Sequence, residues 1–250
     1  MTSSESPSSG QPSAASAAPE AAAPPTGEPA AAGPAPVETF FDEFRGHPLG
    51  VSPEFSAGHA TVGWFSRNEK AGRLLWSLAQ ATIFRWSFRR ADRFRSAILR
   101  RFGATIGQKC LIRPDVRIEV PWNLSLGDEV AIGERAILYC LGPVRVGDRT
   151  MISQFAHVCA GTHDHTRSDM PLYRVPISIG SDVWLCTETY VAPGVVVGDG
   201  VMVGARGNVI RDLPPWTVCV GSPARPVKAR AYRRVTPTPG RPPTIEGSAT

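Results

Sequence analysis

The sequence contains no stretch of eighteen uncharged apolar residues; the nearest approach, Leu74 to Phe84, is too short to cross a bilayer. Cysteine is scarce: Cys110, Cys140, Cys159, Cys186 and Cys219 are odd in number and show no C-x-x-C spacing. That speaks against a disulfide framework or a thiolate zinc site and predicts reduced core thiols in a cytoplasmic protein. Large aliphatic and aromatic side chains are missing between Met1 and Pro36, which is almost wholly Ala, Pro, Ser, Gly, Thr and Glu. Such a stretch buries too little apolar surface to offset its ordering entropy, so a disordered arm is expected over 1–38 and a similar tail over 236–250. The arm also lacks the basic segment and apolar run of a secretory signal. Acidic residues are scarce locally: between Arg67 and Arg101, ten Lys and Arg face only Glu69 and Asp92, which concentrates most of the formal +5 charge in one segment.

What the chain does contain falls into two patterns. Asn68 to Arg101 has no proline and one glycine, Gly72, and its apolar residues Leu74, Leu75, Leu78, Ile83, Phe84, Phe94, Ile98 and Leu99 recur at helical spacing. One or two amphipathic helices are expected, stopped at Gly103, within an N-terminal segment 39–104. From Ile106 the period becomes six. Aliphatics stand at Ile106, Ile112, Ile118; Leu126, Ile132, Leu138; Val146, Ile152, Val158; and Ile179, Leu185, Val191, Val197, Val203, Val209. Successive coils open on IGQKC, LGDEV, VGDRT, IGSDV and VGDGV. A six-residue period is a short strand and a turn, and three such sides close a triangular coil whose inward aliphatic stacks on its counterpart one coil away. A single coil cannot bury its inner face, so the pattern predicts an all-β solenoid, a parallel β-helix over 105–215, with the helical segment as its N-terminal cap. The register breaks between Val158 and Ile179, where THDHTRSDMPLYRVP predicts a polar loop over 162–176.

The stretches RPDVRIEVPWNLSLGD, ISQFAHVCAGTHDH, PISIGSDVWLCTETYVAPGVVVGDGVMVGARGNVIRDLPPW and GSPARPV resemble the hexapeptide-repeat acyltransferases, and among them the colanic-acid-type exopolysaccharide acetyltransferases. The resemblance covers about half of the chain, essentially the whole solenoid. It implies a left-handed coil and a homotrimer with active sites in clefts between neighbouring solenoids. It also implies direct acetyl transfer from acetyl-CoA, without a covalent intermediate and without a metal. The expected acceptor is a saccharide hydroxyl, free or lipid-linked, in exopolysaccharide biosynthesis.

Acetylation of a hydroxyl requires removal of a proton from a poor nucleophile, stabilisation of an oxyanion and a seat for CoA. A positioned imidazole suits the first task. The resemblance places His163, in the G-T-H position, as that base, with Asp164 and His165 orienting it or touching the acceptor. His157 precedes the inward Val158 and is expected to point outward as a structural residue; His47 and His59 have no motif support. Backbone N–H groups serve an oxyanion. By resemblance such an amide falls at Thr187, while Gly204–Ala205 face the pantetheine or its thioester, where glycine lets the cofactor approach the chain. Trp184 follows the family's V-W beside the pantetheine arm. Arg211 and Arg225 match basic positions that meet the CoA phosphates, and 216–235 is expected to complete that seat. Ile210 stands where relatives often carry Thr. The acceptor-binding Asn of small sugar acetyltransferases is replaced by AILYCLGPV, leaving Tyr139 as the nearest polar candidate.

Other readings are weaker on particular residues. A zinc carbonic anhydrase needs three suitably separated His ligands, whereas His157, His163 and His165 crowd one loop start. A non-catalytic scaffold has no use for His163, the loop and GSPAR together. A serine acetyltransferase carries a larger helical domain than 68–101, and a non-sugar hydroxyl or amine acceptor stays open. The basic helical segment either caps the first coil or also meets anionic headgroups through Arg85, Arg89, Arg90, Arg93 and Arg95, at the inner face of the membrane. Nothing resembles a nucleic-acid module.

Overall fold

The computed structural model describes residues 65–163 and 168–232, together with the strand Thr61–Val62 (β1). The arm expected over 1–38, the tail over 236–250, Asp164 and His165 lie outside the described residues.

The helical segment forms two helices. Helix α1, Arg67–Ala79, starts at a capping box: Ser66 Oγ accepts the Glu69 N–H at 3.2 Å and the Glu69 carboxylate accepts the Ser66 N–H at 2.9 Å. A π-helical turn, Gln80–Phe84, extends it, and α2 follows over Asp92–Arg101. Gly103 ends α2 at φ +88°, a backbone state that favours glycine, and a side chain there would meet Trp122.

The inward face differs from the expected one. Trp76, Phe84, Ile98 and Leu99 are buried, with the Trp76 ring edge-on to Phe84 and Phe102 at 5.7 and 5.1 Å. Leu74, Leu75, Leu78 and Ile83 point to solvent. The reason is that these helices do more than cover apolar surface. The first coil has no preceding coil, so its edge strands present unpaired backbone groups, and helix side chains bond them. At Ile118, the Trp76 indole donates to the carbonyl at 2.6 Å, while Gln80 Oε1 accepts the N–H at 2.7 Å. At Ile112, Arg95 Nε donates to the carbonyl at 2.6 Å and Asp92 accepts the N–H at 3.1 Å. At Ile106, Arg100 donates to the carbonyl. Arg95, expected at a headgroup surface, is instead 0% exposed and also donates to the Phe88 and Arg89 carbonyls.

The solenoid is a left-handed parallel β-helix of about six turns. Its strands, numbered in chain order, form three sheets. The first holds β2 (Thr105–Ile106), β5 (Leu124–Leu126), β8 (Val144–Val146), β13 (Ile177–Ile179) and β16 (Val196–Val197). The second holds β3 (Leu111–Ile112), β6 (Ala131–Ile132), β9 (Met151–Ile152), β14 (Trp184–Leu185), β17 (Met202–Val203), β19 (Thr217–Val220) and β20 (Arg225–Ala229), the last turning back antiparallel. The third holds β4 (Arg117–Ile118), β7 (Ile137–Tyr139), β10 (His157–Cys159), β15 (Tyr190–Val191) and β18 (Asn208–Val209). In register, Ile106 stacks on Leu126, Val146, Ile179 and Val197. All fifteen aliphatics of the six-residue pattern are buried. A second inward layer stands two residues before them and includes Val116, Ala136, Ala156 and Thr189.

The G-D pairs have a packing reason. Asp128 accepts the Gln108 N–H at 2.7 Å, Asp148 the Asp128 N–H at 2.8 Å, Ser181 the Asp148 N–H at 3.1 Å and Asp199 the Ser181 N–H at 2.7 Å. Each side chain therefore caps the coil before it. It sits where a Cβ on the preceding glycine would stand: Asp148 Oδ1 would be 2.2 Å from one on Gly127.

The stretch without hexad signal is an antiparallel hairpin at its base, β11 (Gly161–His163) with β12 (Leu172–Arg174), to which β1 adds. Arg174 fastens the hairpin to α1 through Glu69 at 2.8 Å, and its guanidinium lies over the Phe65 ring.

Candidate active site

His163 is exposed at the end of β11, with Nδ1 2.7 Å from the Met170 carbonyl oxygen. A carbonyl only accepts, so Nδ1 carries the hydrogen, and in the neutral ring Nε2 then presents its lone pair. The ring is oriented across the hairpin by backbone. Met170 itself is held at φ +39°, in the left-handed region. Beneath the strand, Gly161 leaves room for Tyr139: a Cβ there would be 3.4 Å from the Tyr139 ring and 2.9 Å from Leu141.

Tyr139, His157 and Tyr190 lie on the outer face of the third sheet. The imidazole of His157 stands edge-on to both rings, 6.4 Å from Tyr139 and 5.5 Å from Tyr190. Its Nε2 is buried without a partner, as is Asn208 Oδ1 on the same sheet. Burial, aided by the Arg117 charge, lowers the His157 pKa. Burial and the nearby Glu119 carboxylate raise that of Tyr139.

Of the residues expected at CoA, all but Arg211 lie in the second sheet or at its corner with the third. Thr187 and Ala205 occupy equivalent positions there, eighteen residues and one coil apart. The Gly204 N–H is engaged with the Cys219 carbonyl at 2.8 Å, but among the described residues no acceptor takes the Thr187 or Ala205 N–H. The available donors are thus Thr187 and Ala205. Trp184, half-exposed in β14, donates to Ser153 Oγ at 3.0 Å. Gly221 to Ala224 sit at the same corner one coil on, and exposed Arg225 follows them in β20. Exposed Arg211 instead follows β18, at the corner between the third and first sheets.

That second corner is also where the His163 hairpin leaves the coil, since it lies between β10 and β13. One chain therefore presents His163 and the Thr187 and Ala205 N–H groups from different corners, with the outer face of the third sheet between them. A cavity of about 550 Å³ between α1 and β4 contains none of the expected site residues. Among the described residues no group of three His, Cys, Asp or Glu is placed to hold a metal ion, and all five cysteines are free. The half-buried His157 pair with Tyr190 was not legible as a cluster, because strand pairing joins residues thirty-three apart.

A triangular coil with stacked aliphatics, a histidine hairpin and a corner of free amides defines the class: a hexapeptide-repeat solenoid. No family model matches the chain. The Escherichia coli K12 protein named "Putative colanic acid biosynthesis acetyltransferase WcaF" is 46% identical over 156 residues, 62% of this chain and 86% of that protein. The galactoside O-acetyltransferase of the same organism is 26% identical over 54% of this chain and 68% of its own length. A hexapeptide-repeat acetyltransferase of Vibrio cholerae, solved with acetyl coenzyme A, superposes with TM-score 0.63 at 23% identity, covering 70% of this chain and 97% of that one. The chain belongs to the hexapeptide-repeat acyltransferase family, on the branch of the colanic-acid-type acetyltransferases.

Proposed function

We propose that this acetyl-CoA-dependent acyltransferase acetylates a sugar hydroxyl in exopolysaccharide biosynthesis, with His163 as general base. The observation that carries the reading is the His163–Met170 bond, which leaves Nε2 free to take a proton. Acetyl-CoA supplies the thioester carbonyl. As the acceptor oxygen attacks it, Nε2 removes the hydroxyl proton and the oxyanion is met by the Thr187 and Ala205 N–H groups. The proton on Nε2 then passes to the departing CoA thiolate. Arg225 follows the corner of those amides and serves the CoA phosphates. Arg211 stands at the other corner, beside the His163 hairpin; in a homotrimer that corner of one copy faces the amide corner of the next, so that Arg211 reaches the CoA phosphates and His163 the acceptor hydroxyl. The separation of base and amides onto two corners of one chain supports that assembly. Tyr139, Asp164 and His165 contact the acceptor, in a cytoplasmic setting.

The test is steady-state turnover of His163→Ala with acetyl-CoA and a panel of nucleotide sugars and exopolysaccharide oligosaccharides, with products mapped by NMR. Loss of roughly 10²–10⁴ in turnover with CoA binding retained is expected. A folded variant within threefold of wild type removes His163 from the mechanism.

A further inference from the structure

Beyond the catalytic reading, the surface left over by the coil cap has no role inside the molecule. Leu74 and Leu78 are one turn apart, and Leu75 lies between them, so the three form one stripe along α1. Leu74 is 65% exposed. The stripe leads into the turn between the helices, where Trp86 is 83% and Phe88 88% exposed. Large apolar side chains gathered this way mark an interaction surface.

The unpaired charges of the helical segment are of one sign. Both acids of the segment are turned to the protein: Glu69 is bonded to Ser66 and Arg174, and Asp92 to Arg95 and the Ile112 N–H. Arg67, Lys70, Arg85, Arg90 and Arg93 are exposed, and none of the five has an acidic partner among the described residues. An apolar stripe of Leu and aromatic side chains beside these unpaired cations, with the nearby carboxylates Asp115 and Glu119 each already paired to an arginine, is the chemistry of a helix lying in the headgroup region of an anionic bilayer. Among the described residues no helix is long and apolar enough to cross one.

We infer that α1 and the turn after it dock the protein on anionic lipid, with Leu74, Leu78, Trp86 and Phe88 inserted and Arg90 and Arg93 on the headgroups. None of these inserted or headgroup residues bonds the His163 hairpin, which meets α1 through Glu69 and Arg174. Docking would bring the enzyme to acceptors carried on lipid.

The test is flotation of the full chain with vesicles of phosphatidylcholine alone, or with about one third phosphatidylglycerol. The expected result is binding at least about tenfold stronger to the anionic vesicles, weakened by salt. Leu74→Gln with Leu78→Gln, and separately Trp86→Gln with Phe88→Gln, should each lower it about tenfold. Arg90→Glu with Arg93→Glu should abolish the preference for anionic lipid. Turnover of a soluble acceptor by all three variants should match wild type, which separates failure of docking from failure of the catalytic reading. Three outcomes overturn the inference: absence of wild-type binding to the anionic vesicles, equal binding by the leucine variant, or its conversion to a smaller assembly in sedimentation, which would make a second copy the occupant.

Discussion

The Met170 carbonyl oxygen lies 2.7 Å from His163 Nδ1, and the residue that carries it sits at φ +39°. The side chain at 170 is exposed, so its identity matters through the backbone alone. Met170→Val places a β-branched residue where it is strained and should turn the carbonyl away, lowering kcat about ten- to a hundredfold with KM for acetyl-CoA unchanged. Met170→Gly should retain most activity. Steady-state kinetics of the pair checks this, and equal kcat for both removes the carbonyl from the account.

Arg95→Met should destabilise the protein by about 3–5 kcal/mol, the usual effect of removing one partner of a buried charged pair. The substitution leaves the Ile112, Phe88 and Arg89 carbonyls and Asp92 short of a donor. Arg90→Ala, on the exposed side, should stay within about 0.5 kcal/mol of wild type. Urea unfolding followed by circular dichroism compares the two.

His157 makes stability depend on pH. Its pKa is below the ordinary 6.5 in the folded chain because burial disfavours the charged ring. Between the folded and ordinary values the unfolded chain binds the proton more readily, so stability falls as pH drops through that window and is complete above it. Tm should therefore decline on acidification below about pH 6.5, and less steeply in His157→Gln. Parallel Tm profiles for the two proteins would assign the decline to other groups.

Arg211→Ala and Arg225→Ala should each raise KM for acetyl-CoA several-fold, because an exposed charge-assisted contact contributes at most about 1.5–3 kcal/mol. Neither side chain has a partner among the described residues, so Tm should hold. A fall in Tm with KM unchanged would return them to the fold.

The solenoid was legible because every coil repeats one environment: Ile112, Ile132, Ile152 and Leu185 meet the same neighbours, so the same letters recur. The glycine–aspartate corner was visible as a motif but not as a contact, since Asp148 bonds a residue twenty positions back. The helical cap was legible in place and misread in face. Apolar periodicity counts Leu74 and Leu78, whereas the inward rows were decided by Trp76, Gln80 and Arg95, polar groups matched to backbone that only the folded coil presents. In the site, the motif singled out Thr187 and Gly204–Ala205, but which of these amides is free depends on the hydrogen bond that occupies the Gly204 N–H. The hairpin at the loop base was missed because its strands carry polar residues and pair only with each other and β1.

A stack of parallel coils has no intrinsic length; any coil could seat another, from the same molecule or a different one. Here Trp76, Gln80, Arg95 and Arg100 occupy the first rung from one side, while β20 reverses direction on the other and carries Pro226, which has no N–H to offer. The molecule thus terminates its own ladder at both ends. A fold whose repeat is that of a growing fibre remains a discrete particle, and its number of coils is set by its two ends.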